Sequence, residues 1–253
     1  MESILSAKGL CKTYVVNKYS NQVLRDIDFE LAEGEFVTIM GPSGSGKSTL
    51  LYMLSGMDKV TAGDVCFLGK NYSGLKDREM AKLRLNSMGF IFQQMYMMRK
   101  LCILDNILLP GFHAGLQERK KVRETAEELM ERLGITEIAK NRITEVSGGQ
   151  LQRACLCRAL INRPGVLFAD EPTGALNSKA AGEVMQELVK VNHEGTAILM
   201  VTHSARVAAA SDKVVYLIEG NIKGELTLGK LKDEAELIQR ERQLNQWLME
   251  QGW

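Results

Sequence analysis

Gly41-Pro42-Ser43-Gly44-Ser45-Gly46-Lys47-Ser48-Thr49 sets three glycines, a lysine and a terminal pair of hydroxyls within nine residues. This is the phosphate-loop pattern G-x-x-x-x-G-K-[ST]. Its chemistry is the holding of a polyphosphate. Glycines let successive backbone N–H groups turn inward on phosphate oxygens, and a helix opening near Ser48 aims its positive dipole end at them. Lys47 adds a point charge for the β and γ phosphates, and Ser48 offers its hydroxyl to a bridging Mg²⁺. A nicotinamide cofactor is disfavoured, because Thr49 stands where the dinucleotide fingerprint needs its third glycine.

A second set of chemical groups closes the apolar run Val166-Leu167-Phe168-Ala169 with Asp170 and Glu171. Ligands of a parallel α/β sheet gather outside the carboxyl ends of its strands, so these acids belong beside the phosphate loop. Asp170 is expected to hold Mg²⁺, through water, and Glu171 to polarise the attacking water. Adjacent residues can divide these roles because the strand has ended and its side chains no longer alternate rigidly.

The elements that must position these groups follow from hydrophobic patterning. Phe36–Met40, Val166–Ala169 and Ala197–Val201 are short apolar runs of the kind buried on both faces of a parallel sheet. Helical patterns follow or separate them at Thr49–Leu54, Gln150–Ile161 and Ala180–Val191. The fold class predicted is α/β, a phosphate-loop parallel-sheet core. The alternating run Ile27–Leu31 and the glycine-bounded run Gly63–Gly69 predict an antiparallel β flank. From about Leu75 to Ile143 the pattern turns helical, and Glu118–Arg132 carries ten charges of mixed sign, read as a solvated helix with i,i+4 pairs.

Composition narrows the function classes. The 253 residues hold 32 Lys and Arg against 31 Asp and Glu, for a net charge of +1, with 45% apolar residues. Such a balance gives no broad electrostatic footprint for nucleic acid. No apolar run reaches the roughly 18 residues of a membrane span, and the N-terminus lacks the pattern of a secretory signal, so a cytosolic location is expected. Five cysteines without metal spacing read as reduced, packed thiols.

Val146-Ser147-Gly148-Gly149-Gln150, ahead of the acidic strand, resembles the signature of ABC-type ATPases, usually Leu-Ser-Gly-Gly-Gln. Val146 departs from the usual Leu, a change that an apolar packing position tolerates. Taken alone, Ser147 could equally be the N-cap of a helix. Further positions are similar to those of the family. Tyr14 matches the aromatic residue that stacks on adenine. Gln93, with Gln94 beside it, matches the glutamine that touches Mg²⁺ and the attacking water and senses the transport partner. His203 matches the switch histidine at the γ-phosphate. Asn177 occupies a position usually held by Asp, while His113 and His193 match nothing and read as surface residues. The resemblance spans roughly Leu5–Ile222. Thr173–Asn177 and Ile103–Pro110 look like the branch serving lipoprotein release, macrolide efflux and peptide-antibiotic resistance.

The resemblance implies an ATP hydrolase with ATP and Mg²⁺, occupying residues 1–230 with a helical signature subdomain inserted at approximately 75–160. It implies two copies head to tail, each ATP lying between one copy's Lys47 loop and the other's Ser147-Gly148-Gly149. The remaining partner is a membrane permease on a separate chain, which would hold the protein at the inner face of the membrane. Transport-independent signalling or cell-wall regulation through a membrane partner is the alternative. Residues 231–253 read as an amphipathic C-terminal helix whose contact is open: its own domain, a second copy or the permease. Met95-Tyr96-Met97-Met98 is likewise open, as a permease groove or as core filling.

Overall fold

The computed structural model describes residues 2–16 and 19–253. Long strands β1 (Ser3–Val16) and β2 (Tyr19–Ala32) pair antiparallel, and β3 (Phe36–Met40) then enters the core with every residue buried. The phosphate loop follows, and helix α1 (Lys47–Leu54) opens from Gly46. β4 (Ala62–Phe67) pairs with β1, and β5 (Lys70–Asn71) pairs with β4, which completes an antiparallel sheet of order β2-β1-β4-β5. The β flank expected from Ile27–Leu31 and Gly63–Gly69 is therefore present.

Helix α2 (Asp77–Ser87) leads into β6 (Met88–Phe92). The stretch expected to be helical from about 75 thus contains a strand. β6 runs parallel to β7 (Val166–Asp170) in the main sheet. Five residues between a charged helix and Gln93 carry too little periodicity to announce a strand, and only the groove beside β7 makes extension favourable. Helices α3 (Ile103–Ala114), α4 (Arg119–Arg132) and α5 (Gly148–Leu160) then form a layer of their own. α4 buries Val122, Thr125, Ala126 and Met130, while its one i,i+4 ion pair among the described residues is Lys120–Glu124 at 3.9 Å. Its charges mainly serve solvation.

After β7 come α6 (Ser178–His193), β8 (Ala197–Val201), the short α7 (Ala205–Ala208), β9 (Lys213–Ile218), β10 (Asn221–Thr227) and α8 (Leu237–Glu250). The second sheet has the order β10-β9-β3-β8-β7-β6, parallel except for β10. Alternation assigns its faces. Leu167, Ala169, Ile198 and Met200 pack toward α3–α6, whereas Val37, Ile39, Phe168 and Leu199 pack toward α1 and the antiparallel sheet. The cysteines are unpaired, and burial pushes the Cys155 thiol up to about 11 and the Cys157 thiol upward as well. Neither is a reactive thiol.

The C-terminal helix packs on its own domain. Leu244 and Leu248 are buried with Met40, Ala208, Val214 and Tyr216, and the Arg240 guanidinium donates to the carbonyls of Ser211 and Gly229. Leu244→Ala is expected to lower unfolding free energy by about 2–5 kcal/mol through the cavity it leaves. Urea unfolding reads this directly; a midpoint unchanged from wild type would show that α8 contributes nothing to the core.

Candidate functional site

The phosphate loop is shaped by two glycines that no other residue could replace. At Gly41 an added Cβ would lie 2.0 Å from the Leu217 carbonyl oxygen. Gly46 caps α1 with φ 102°, a left-handed conformation, and a Cβ there would crowd Val23 and Leu24. The consequence is a row of backbone donors. The amides of Gly44, Gly46, Lys47, Ser48 and Thr49 have no acceptor among the described residues, at the positive end of α1. Pro42, Ser43 and Gly44 are exposed, Ser45 is buried with no hydrogen-bond partner for its hydroxyl, and Lys47 Nζ donates to the Gly41 and Pro42 carbonyls at 2.9 and 2.8 Å. Burial lowers the Lys47 pKa, and Glu171 and Asp170 oppose that shift. Backbone donors and a cation converge at the loop, which suits a polyphosphate.

Strand order brings the acids to this loop. β7 lies one strand away from β3, with β8 between them, so Asp170 at its last residue reaches across to α1. Ser48 Oγ donates to Asp170 Oδ1 at 2.9 Å, and Tyr52 Oη donates to Asp170 Oδ2 at 2.9 Å. Asp170 is buried, and no cationic side chain lies within ion-pair distance of it among the described residues. An all-oxygen set around an unpaired carboxylate fits a hard divalent cation. No cluster of three or more His, Cys, Asp or Glu residues capable of holding a metal occurs among the described residues.

Glu171 leaves the strand with φ 47°, a strained value for a non-glycine residue, held by its N–H to the Val201 carbonyl at 3.0 Å. Both its oxygens are engaged. His203 Nδ1 lies 2.9 Å from Oε1, and Thr202 Oγ1 donates to Oε2 at 3.3 Å. A carboxylate can only accept, so this partner places the histidine proton on Nδ1 and leaves Nε2 facing outward. Gln93 comes from the end of β6. Its Nε2 sits 3.2 Å from where a Cβ on Gly174 would be, so the glutamine reaches the loop that follows Glu171. A cavity of about 890 Å³ extends from Glu171 and His203 between α6 and residues 231–241.

Tyr14 lies on β1, paired with Asn21 of β2. Its hydroxyl donates to Asp58 Oδ2 at 2.9 Å, and Lys12 Nζ lies 4.6 Å from the ring centroid. Burial, then Asp58, raises the Tyr14 pKa, while Thr49 close by lowers it. The ring therefore borders the start of α1, with one face taken by Lys12. The signature segment lies elsewhere. Ser147 caps α5, accepting from the Gln150 N–H at 3.3 Å while its own N–H donates to Gln150 Oε1 at 3.0 Å. Val146 packs behind it on the core, and Gly149 comes against Ala180. Ser147 and Gly148 are exposed, and no hydrogen bond joins them to residues 41–49 among the described residues. Asn177 is the N-cap of α6, accepting from the Ala180 N–H at 3.0 Å.

Three participants were not singled out from the sequence. Thr202 and Arg158 had no detectable signal; Arg158 donates to the carbonyls of Met95 and Tyr96, both left-handed, just beyond Gln93. Tyr52 did have one, because it lies four residues after Ser48 and therefore on the same helix face.

A family model described as ABC transporter matches residues 24–174. The bacitracin export ATP-binding protein BceA of Halalkalibacterium halodurans is 40% identical over 228 residues, 90% of each chain. The macrolide export ATP-binding/permease protein MacB of Psychrobacter arcticus is 39% identical over 219 residues, covering 87% of this chain but 33% of that protein. A dimeric post-hydrolysis structure of the ATP-binding cassette MJ0796 bound to ADP and Pi superposes with a TM-score of 0.83 at 35% identity, covering 90% of this chain and 100% of that one.

Proposed function

The chain belongs to the ABC transporter ATP-binding family, as an ATP-binding and ATP-hydrolysing subunit, and from that premise we propose the role of each site residue. ATP phosphates take up the free amides of residues 41–49 and draw Lys47 from its two carbonyls to the β and γ phosphates. Adenine stacks on the face of Tyr14 opposite Lys12. Ser48 and Asp170 would hold Mg²⁺, Asp170 through water, with Gln93 alongside, and the ion would neutralise charge on the phosphates. Glu171 takes the proton of the attacking water. His203 holds that carboxylate in place through Nδ1 and presents Nε2 to the γ-phosphate.

Ser147, Gly148 and Gly149, with Gln150 bracing the turn, complete the γ-phosphate shell of a second copy arranged head to tail. ATP then acts as glue, since ADP leaves those donors unsatisfied. Residues 1–230 form the ATPase unit, and the helices α3–α5 engage a permease. The names of the relatives support export, of a macrolide or a bacitracin-like peptide antibiotic, and the driven partner would be a membrane permease on a separate chain. The protein would then sit on the cytoplasmic face of the membrane. No helix among the described residues is long and apolar enough to cross it.

The observation that carries this reading is the pairing of both acids with distant partners, Asp170 with Ser48 and Glu171 with His203, at the edge of a loop of free amides. Mixed dimers test it. Ser147→Arg and Lys47→Ala chains are each expected to be inactive alone. Mixed in equal amounts they regain one intact site in half of the dimers, about a quarter of the wild-type phosphate release. Failure to recover any activity would refute the head-to-tail arrangement.

A further inference from the structure

Asp170 has two oxygens, and only one is explained by the phosphate loop. Ser48 Oγ takes Oδ1, and the Tyr52 phenol, one helical turn further along α1, takes Oδ2 at the same 2.9 Å. The carboxylate is therefore spanned by two hydroxyls from a single helix face. The terminal torsion of an aspartate is broad and only weakly directed by itself. Two donors at fixed positions remove that freedom and set the plane of the group.

The Tyr52 contact is suited to staying in place when nucleotide arrives. A phenol has one proton to give, and here it is spent on Oδ2. Ser48 can direct an oxygen lone pair at a cation and still donate its proton to Oδ1. Tyr52 has no such second task. Its ring is half-buried on the α1 side of the sheet and needs no hydroxyl for that packing.

We propose that Tyr52 is a positioning residue for the divalent cation: its hydroxyl locks Asp170 so that Oδ1 stays turned toward Ser48, and cation affinity depends on that lock. This rests on the reading of Ser48 and Asp170 as the groups that hold Mg²⁺. Partners that orient a metal-binding side chain typically change metal affinity by about 10- to 100-fold when removed.

Mn²⁺ titrations of the full-length chain with ADP, followed by electron paramagnetic resonance, separate the possibilities. Tyr52→Phe is expected to weaken Mn²⁺ binding by about 10-fold, with ADP affinity in EDTA unchanged. In the double variant Tyr52→Phe/Asp170→Asn, no further loss beyond Asp170→Asn is expected, because the phenol acts through that carboxylate. Wild-type Mn²⁺ affinity in Tyr52→Phe, with Asp170→Asn impaired, overturns the role of Tyr52 and leaves the cation site standing. An equal loss of metal-free ADP affinity also overturns it, by showing that the ring merely supports the loop. Wild-type Mn²⁺ binding in both Asp170→Asn and Ser48→Ala removes the cation site itself, and the proposal with it.

Discussion

Glu171→Gln is expected to bind ATP normally, to persist as a nucleotide-bound dimer and to turn over about 10²–10⁴-fold more slowly. The size of the effect follows from what the substitution removes. Gln keeps the length and shape of the side chain and can still accept from Thr202 Oγ1, so the left-handed turn at residue 171 and its bond to Val201 have no reason to change. It has no basic oxygen for the proton of the attacking water. Turned the other way, its amide oxygen still accepts from His203 Nδ1 while the NH₂ donates to the Thr202 hydroxyl, so the contact with the histidine can persist without the negative charge. Phosphate release measures the first effect, and light scattering with saturating magnesium and ATP measures the dimer. A wild-type rate in this variant would remove Glu171 from its role. A persistent monomer under those conditions would break the link between the γ-phosphate and closure.

The second large effect is expected at Lys47. Lys47→Ala should weaken ATP binding by about 2–5 kcal/mol, roughly 30-fold to several-thousand-fold, the cost of leaving a partly buried charge without its partner. The fold should be untouched. Lys47 donates only to the carbonyls of Gly41 and Pro42, and exposed Pro42 lies at the solvent side of the loop, where water can take over. Calorimetric titration of ATP into the variant gives the affinity, and a thermal melt confirms integrity. Unchanged affinity would mean that the free amides alone carry the phosphates, and that the lysine serves only to neutralise the neighbouring acids.

Much of the site was legible in residue order, for identifiable reasons. Gly41, Gly46 and Lys47 act through backbone conformation and a single charge over nine residues, and such local geometry is written into residue types. Asp170 and Glu171 were legible because an apolar run buried on both faces must end somewhere, and its carboxyl end is where a parallel sheet collects ligands. Ser147 was legible twice over, as an N-cap and as a signature residue, and it is the N-cap of α5 while its turn stays exposed. β6 was hidden, since Met88–Phe92 is too short for a period to emerge and becomes a strand only by pairing with β7. The tail from residue 231 showed its amphipathic face but not the surface that the face would cover. That surface is β9 with α7, sealed by Leu244, Leu248 and Arg240.

Residue order by itself determined the phosphate-loop pattern of this protein, its α/β class and the two acids that end an apolar strand, because those features depend on backbone freedom, charge and hydrophobic period over a few residues. The tertiary structure decided which groups meet. It set Ser48 and Tyr52 on the two oxygens of an aspartate more than a hundred positions away, gave Glu171 to His203 and Thr202, and turned Ser147 outward. Such pairings depend on the order β3-β8-β7 in the sheet, and strand order is a property of how the whole chain packs, which no short window of residues contains.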